Sequence, residues 1–321
     1  MTKLNHPSSN HPNTRFANYA WFVLGFNILV VLWGAYVRAT GSGAGCGSHW
    51  PSCQGEVIPR APQIETIVEF THRLSSGAAL LLVVGLLIWG WRSYPKGHRV
   101  RKAAGAAMIF MITEALVGAG LVLFEWVAGN ISTARVIVMG IHLLNTHLLL
   151  AAITLAAWWA SGGSALRLKD QPATLKWRFA LGILGVIVLS IAGAVTALGD
   201  TLFPAESLAA GIQQDLSPAS HFIVRLRVWH PVIAVLVGLY LILFAVSLAT
   251  ERRDLWNTRF ARALGGLFGL QLAAGMLNLI LLAPVWMQIV HLLLADLVWI
   301  VLILLAAQTL SQEVLETREA S

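Results

Sequence analysis

Long apolar segments alternate with short polar ones along nearly the whole chain. A helix that crosses the hydrocarbon core of a bilayer, roughly 30 Å thick, needs about 20 mostly apolar residues. Eight segments are long enough, and the pattern therefore predicts an all-α, polytopic membrane protein with eight transmembrane helices. The predicted spans lie near 17–38, 66–91, 103–125, 136–160, 177–198, 219–249, 260–283 and 285–310.

The composition agrees with this pattern, because 57% of the 321 residues are hydrophobic and only 12% are charged. A soluble domain does not need so much apolar surface. The first apolar segment is long and lacks a small-residue cleavage site, so we interpret it as a retained helix and not as a signal peptide. Residues 1–16 and 311–321 are predicted to be cytoplasmic tails.

The basic residues concentrate in alternate connections between the spans. Segment 92–102 carries five Lys and Arg residues, and segments 161–178 and 250–262 carry four each, whereas segment 199–218 is acidic. Positive charge is retained on the cytoplasmic side. We therefore expect a multi-pass protein of the inner (plasma) membrane with both termini cytoplasmic and the loop at 39–64 outside. Because the charges are dispersed over short loops, they do not indicate nucleic-acid binding.

Four histidines lie just inside the N-terminal ends of the second, fourth, sixth and eighth segments. Ionisable residues inside membrane segments are rare and mark functional sites. Two neutral imidazoles on facing helices of a bundle commonly hold haem iron. A single such histidine could simply hydrogen-bond to a neighbouring helix, but four histidines at matched depth favour haem ligation. A non-haem metal centre is the other alternative, but it would need more ligands within one half than the sequence offers. The predicted iron ligands are His72, His142, His230 and His291.

The histidines also indicate an internal duplication. His72 aligns with His230 and His142 with His291, with similar separations inside each pair. The chain is therefore predicted to form two pseudo-symmetric four-helix bundles with two histidines each. The predicted bundles are 17–160 and 177–310, joined by a cytoplasmic linker at 161–176.

Two other positions fit the duplication. The stretch that begins at Gly34 resembles the one that begins at Gly193, and both lie at the outer ends of their spans. His147 lies five residues beyond His142, about 140° around the helix, so His142 is the better ligand. Asp296 occupies the position in the last span that His147 occupies in the fourth, which suggests a polar contact between the halves.

His221 is interpreted as interfacial, and we assign no partner to His6, His11 and His98 in the soluble segments.

Charged residues accompany the histidines. Glu69 lies three residues before His72, on the same helix face, where a carboxylate could move protons or steer the imidazole by a hydrogen bond. Arg225 and Arg227 precede His230, and they could pair with haem propionates or extend to lipid headgroups.

Cys46 and Cys53 are the only cysteines, and both lie in the glycine-rich loop between the first two spans. In an oxidising compartment a disulfide is favoured over two free thiols. The disulfide could exchange with external thiols or only staple the loop. Metal binding by the cysteines together with His49 is a third alternative.

Several motifs together resemble the haem A synthase family over essentially the whole chain from the first span to the last. The motifs are the Cys46 to Gly55 loop with Trp50-Pro51, Glu69-Phe70-Thr71-His72-Arg73, His142-Leu143-Leu144-Asn145-Thr146, Trp229-His230-Pro231 and His291-Leu292-Leu293-Leu294-Ala295-Asp296.

The resemblance implies an oxidoreductase that converts the C8 methyl group of haem O to the formyl group of haem A by two hydroxylations and loss of water. His72 and His142 would hold the substrate haem, and His230 and His291 would ligate a haem b. Glu69 would belong to the catalytic site, and the cysteine pair would form a loop disulfide that helps haem transfer or electron supply. Only the first half carries Glu69 and the cysteine loop, which favours the same division.

The resemblance also implies partners. Haem O synthase and the proteins that assemble cytochrome oxidase are the expected partners, and the chain would lie in the lipid bilayer. An electron donor is also expected, but the sequence does not identify it. The sequence leaves open whether the chain forms a homo-oligomer. The alternative is a di-haem membrane cytochrome b that only carries electrons, which would not explain the cysteine loop or Glu69. A transporter with inverted repeats is disfavoured because both halves have the same orientation.

Overall fold

The computed structural model describes residues 13–312, and it is all-helical there. Eight helical segments are long and apolar enough to cross a membrane, with α7 and α8 counted as one segment, so the prediction of a multi-pass membrane protein is confirmed. His6, His11 and most of the two predicted tails lie outside the described residues. The helices are α1 (Thr14–Ala39), α2 (Ile64–Ser93), α3 (Arg99–Leu123), α4 (Thr133–Ala160), α5 (Ala173–Leu202), α6 (Leu208–Leu216), α7 (Phe222–Leu226), α8 (Trp229–Glu251), α9 (Leu255–Ile280) and α10 (Val285–Thr309), with a 3-10 helix at Ser42–Ala44.

The predicted spans coincide with these helices, although most ends differ by a few residues. The helices start further out than predicted where a polar side chain caps the first turn. Asn13 accepts a hydrogen bond from the amide of Phe16 at the start of α1, and Ser132 accepts one from Arg135 at the start of α4. Such caps satisfy amides that have no partner inside the helix.

The sixth span is not one continuous helix. Pro231 has no amide hydrogen to donate to the carbonyl of Arg227, four residues earlier, and its ring crowds that carbonyl. The chain therefore breaks between α7 and α8, and the amide of His230 bonds to Arg227 O instead, at 3.3 Å. The sequence did not predict this break, nor the short helix α6 in the preceding connection.

The long helices pack as two groups. Helices α1 to α4 contact one another in chain order and α1 closes on α4, while α5, α8, α9 and α10 pack in the same order. This packing is consistent with two pseudo-symmetric four-helix bundles. The groups meet mainly through α4 and α10, and through α4 and α5.

Two polar side chains join the groups. Arg38 of α1 donates to the carbonyl of Ala197 at 2.7 Å and to Gln288 Oε1 at 2.9 Å. Trp299 of α10 is buried and donates from Nε1 to the carbonyl of His147 at 2.8 Å. These bonds fix the register between α1, α4, α5 and α10.

The connections divide between two ends of the molecule. We call one end the loop face, formed by segments 40–63, 124–132, 203–221 and 281–284, and the other the basic face, formed by 94–98, 161–172 and 252–254. All four candidate haem ligands lie in the helical turns nearest the loop face.

Candidate functional site

Each of the four candidate ligands packs against a glycine on the preceding long helix. A Cβ built on the glycine would lie 3.0 Å from the imidazole Cε1 in three of the pairs and 3.9 Å in the fourth. The absence of a side chain therefore lets a helix backbone approach the ring closely. The pairs are Gly34 with His72, Gly193 with His230 and Gly275 with His291, and, at 3.9 Å, Gly118 with His142.

His230 and His291 face each other across the second half. Their ring centroids are 6.3 Å apart and their planes are nearly perpendicular, at 88°. An imidazole nitrogen binds a transition metal at about 2 Å and the ring centre lies roughly 1 Å further back, so two rings that share one metal ion have centres about 6 Å apart. The spacing suits two ligands of one iron.

The Nδ1 atoms of all four histidines are buried, and none of them makes a short, well-aligned hydrogen bond. A buried polar atom without a partner is costly in a protein interior. Each half thus contains two half-buried imidazoles. The carboxylate of Glu114 lies 3.4 Å from His142 Nδ1, and Gln271 bonds to Nε2 of His291 at 3.2 Å. Among residues 13–312, no group of three or more His, Cys, Asp and Glu side chains is arranged for a metal ion.

Glu69 connects α2 to the cysteine loop. Its Oε2 accepts a hydrogen bond from the amide of Cys46 at 2.7 Å, and its Oε1 pairs with the Arg73 guanidinium at 2.5 Å. The guanidinium also donates to the carbonyls of His49 and Ser52 at 2.6 and 2.5 Å. The recorded hydrogen bonds of Glu69 thus go to the loop and to Arg73, and not to His72.

The disulfide predicted between Cys46 and Cys53 is present, and both residues are fully buried. Since the sulfurs are joined, they are not available as metal ligands with His49. Gly45 brings the loop into contact with the first turn of α2, because its carbonyl accepts from Thr66 Oγ1 at 2.8 Å and a Cβ there would overlap the backbone of Glu65.

A second carboxylate, Glu114 of α3, lies beside His142 and was not predicted from the sequence. Its Oε1 accepts from Thr146 Oγ1 at 2.5 Å and its Oε2 from Asn145 Nδ2 at 2.6 Å. Oε1 also lies 3.4 Å from Nδ1 of His142, and the Glu114 side chain is only 19% exposed. An acidic residue inside an apolar segment was the signal that could have identified it.

In the second half, Arg227 is buried among loop carboxylates. It pairs with Asp200 at 3.2 Å and with Asp215 at 2.7 Å, and it also donates to the carbonyl of Phe203. These contacts tie α5, α6 and the C-terminal end of α7 together at the loop face. Arg225 is exposed. Pairing of either arginine with a haem propionate stays a prediction.

His147 makes structural contacts and is not placed to share an iron with His142. His147 bonds through Nδ1 to the carbonyl of Leu143 and through Nε2 to the hydroxyl of Ser190, at 3.0 and 3.1 Å. Trp299, not Asp296, makes the recorded polar contact of α10 with His147, and Asp296 Oδ2 is buried without a partner.

His98 and His221 cap α3 and α7, because their Nδ1 atoms accept hydrogen bonds from the amides of Val100 and Ile223. His98 also stacks on Tyr94, so the expectation that it has no partner was wrong.

Comparisons with known proteins identify the family of the chain. Residues 17–303 match the family model COX15-CtaA, described as cytochrome oxidase assembly protein. A Thermus thermophilus protein named protoheme IX farnesyltransferase is 55% identical over 299 residues, which are 93% of this chain and 49% of the relative. The chain thus spans about half the length of that relative.

Proteins named heme A synthase match over shorter stretches. The one from Alkalihalophilus pseudofirmus is 45% identical over 97 residues, or 30% of this chain and 33% of the relative. The one from Bacillus mycoides is 38% identical over 132 residues, or 41% of each chain. The chain therefore belongs to the COX15-CtaA family of cytochrome oxidase assembly proteins, and it shares that family with heme A synthases.

Proposed function

We propose that the chain is a haem A synthase, an oxidoreductase that converts the C8 methyl group of haem O to the formyl group of haem A. Two successive hydroxylations and the loss of one water give this change. The observation that carries the proposal is the arrangement of four imidazoles in two pairs, with each ring packed on a glycine of the preceding long helix. The comparisons with heme A synthases support it.

The two pairs have different tasks in this proposal. His230 and His291 hold a haem b, whose iron would supply one-electron chemistry, and the 6.3 Å spacing of their rings suits that ligation. His72 and His142 hold the substrate, haem O, in the first half. Carboxylates lie near these two residues, with Glu69 on the face of His72 and Glu114 beside His142.

The residues of the first half would orient the substrate and handle protons. His72 and His142 fix the iron of haem O and hence the position of its methyl group, and close placement is itself a large part of catalysis. We propose Glu69 as the acid and base of this half. Its bonds to Cys46 and Arg73 hold the cysteine loop over α2, where the loop would limit the entry of water.

The chain would act in the membrane next to the enzyme that makes its substrate. Haem O carries a farnesyl group, and the Thermus relative that extends well beyond this chain is named protoheme IX farnesyltransferase. Because the shared residues also match the oxidase-assembly family model, we assign the oxidation of haem O to this chain and farnesyl transfer to a partner enzyme.

We further propose that both termini are cytoplasmic and the cysteine loop is outside. The basic connections at 94–98, 161–172 and 252–254 lie on one face, which supports this orientation. A reporter that is active only in the cytoplasm, fused after residue 321, should be active. The same reporter inserted in the cysteine loop should be silent, and activity there would reverse the topology.

The function is tested by extracting the pigments of the purified protein after incubation in air with haem O and a reductant. Haem A or hydroxylated haem O supports the synthase, whereas haem B alone, without conversion, supports a di-haem cytochrome b. The His72→Met variant should lose conversion and keep haem b, and the His230→Met variant should lose haem b. Loss of haem b from His72→Met with conversion intact would reverse the assignment of the two halves.

A further inference from the structure

The two halves differ most in what surrounds the imidazole on the fourth and the last spanning helices. In the first half, Glu114 stands one helical turn before Gly118, the glycine that packs on His142. In the second half, Gln271 stands one turn before Gly275, the glycine that packs on His291. Glu114 and Gln271 are therefore equivalent positions that carry a carboxylate in one half and a neutral amide in the other.

The supporting residues differ in the same direction. Asn145 and Thr146 follow His142 and donate to the two oxygens of Glu114 at 2.6 and 2.5 Å. The residues at the same distance after His291 are Leu294 and Ala295, which have no donor to offer. The first half thus has a carboxylate held in place by two donors beside its histidine, and the equivalent position of the second half has no carboxylate.

The contacts with the imidazoles also differ. Glu114 Oε1 lies 3.4 Å from Nδ1 of His142. Gln271 Nε2 lies 3.2 Å from Nε2 of His291, and its Oε1 is buried without a partner. Only His142 therefore has an anionic oxygen beside its Nδ1.

We propose that Glu114 is a positioning residue that fixes His142 for the substrate haem and makes the two haem sites electronically unequal. This inference rests on the proposed function, in which the first half holds haem O. A carboxylate beside Nδ1 keeps the proton on that nitrogen, leaves Nε2 for the iron and makes the imidazole a more basic ligand. Greater basicity and the nearby negative charge both stabilise ferric over ferrous iron, so the reduction potential of the first haem falls relative to the second.

A structural role is the alternative, because Asn145 also accepts a hydrogen bond from Thr113 at 2.6 Å and the cluster joins α3 to α4. The two roles make different predictions. Loss of a structural contact lowers thermal stability or haem content, whereas loss of a positioning contact shifts the potential of the haem that remains bound.

The test exchanges the residues between the halves in the full-length protein loaded with haem O and haem b. Glu114→Gln should raise the potential of the haem O site, leave that of haem b unchanged, and slow conversion by about 10- to 100-fold, as loss of such a partner does at metal sites. Gln271→Glu should lower the potential of haem b and leave the haem O site unchanged. Thr146→Val, which removes one donor to the carboxylate, should shift the haem O site in the same direction as Glu114→Gln and by less.

The potentials are read by redox titration of the visible spectra, and the resonance Raman spectrum of each haem reports the basicity of its histidine ligand. A Glu114→Gln protein that retains haem O with unchanged potential and unchanged ligand spectrum would overturn the proposal. A wild-type protein that binds two haems and does not convert haem O would refute the proposed function, while the shifts at the His142 site would still be measurable.

Discussion

Gly193 of α5 lies directly against the imidazole of His230, where a Cβ would come within 3.0 Å of Cε1. Gly34 of α1 has the same relationship to His72. The stretches that begin at Gly34 and Gly193 are weakly similar in sequence, and in the structure both glycines make the same close contact with a histidine ring. A contact at 3.0 Å is closer than a methyl group normally tolerates, so the glycine helps to set the position of each ring.

We expect Gly193→Ala to reduce the haem b content of the purified protein, because the new methyl group would push His230 away from His291. Gly34→Ala should reduce binding of haem O in the same way. Gly118→Ala should retain both haems, since its Cβ would stand 3.9 Å from His142, an ordinary contact distance. The ratio of haem to protein after pigment extraction measures the effect.

Gly266→Ala on α9 is the matched control, because nothing lies within 4 Å of its Cβ position. The alanine should also stabilise a helix interior relative to glycine, by roughly 0.5–1 kcal/mol. Equal haem loss from Gly118→Ala and Gly193→Ala would contradict a steric cause.

Glu69→Gln should destabilise the protein, because it removes the charge that balances a nearly buried guanidinium. The side chains of Glu69 and Arg73 are 4% and 12% exposed. Removing one partner of a buried ion pair lowers the free energy of unfolding by about 3–5 kcal/mol. The double variant Glu69→Gln with Arg73→Met should regain part of this stability, because it leaves no unpaired buried charge. The midpoint of thermal unfolding in detergent measures this loss of stability. Glu65→Gln, at an exposed position on the same helix, is the control. Lost conversion of haem O at an unchanged unfolding midpoint would instead assign Glu69 a purely chemical role.

The eight spans could be predicted from the sequence because length and apolar content suffice for a bilayer helix. The four histidines could also be identified, since each is an exception in an apolar segment. The disulfide could be predicted because the chain has only two cysteines and both lie in the same loop. These features depend on local composition, which a single sequence displays directly.

The Glu114 cluster could not be predicted in the same way. Its members on α4 are 31 and 32 residues from Glu114 along the chain, and only the packing of α3 on α4 brings them together. The break before α8 depends on the clash of Pro231 with one carbonyl, a detail that hydropathy does not resolve. From charge alone, Arg227 could pair with a haem propionate or extend to lipid headgroups, and the sequence did not predict that Asp200 and Asp215 surround its guanidinium.

Arg227→Gln should loosen α6 from the rest of the loop face. The variant would leave two carboxylates close together without their cation, which is costly at a buried site. Hydrogen exchange of the backbone amides of Leu208–Leu216 should become faster, and Arg225→Gln, at an exposed position two residues away, should leave it unchanged. Loss of haem b from Arg227→Gln with exchange of α6 unaltered would favour the propionate contact over the loop contact.

Asp254 should make stability depend on pH at the basic face. Partial burial raises the pKa of this carboxyl, but hydrogen bonds from Gln312, Asn257, Trp256 and Gln308 outweigh burial, and the pKa lies below its ordinary value of 3.8.

Because the pKa of Asp254 is lower in the folded state than in the unfolded state, its contribution is complete above about pH 4 and is lost as the pH falls through the folded pKa. Asp254→Asn should keep the cap of α9, since asparagine accepts the same amide hydrogen bonds, and should flatten the acid limb of a plot of unfolding temperature against pH. Asp170→Asn, at an exposed position on the same face, should leave the acid limb unchanged. An acid limb equally steep in the wild-type and Asp254→Asn proteins would show that other carboxyl groups govern the loss of stability in acid.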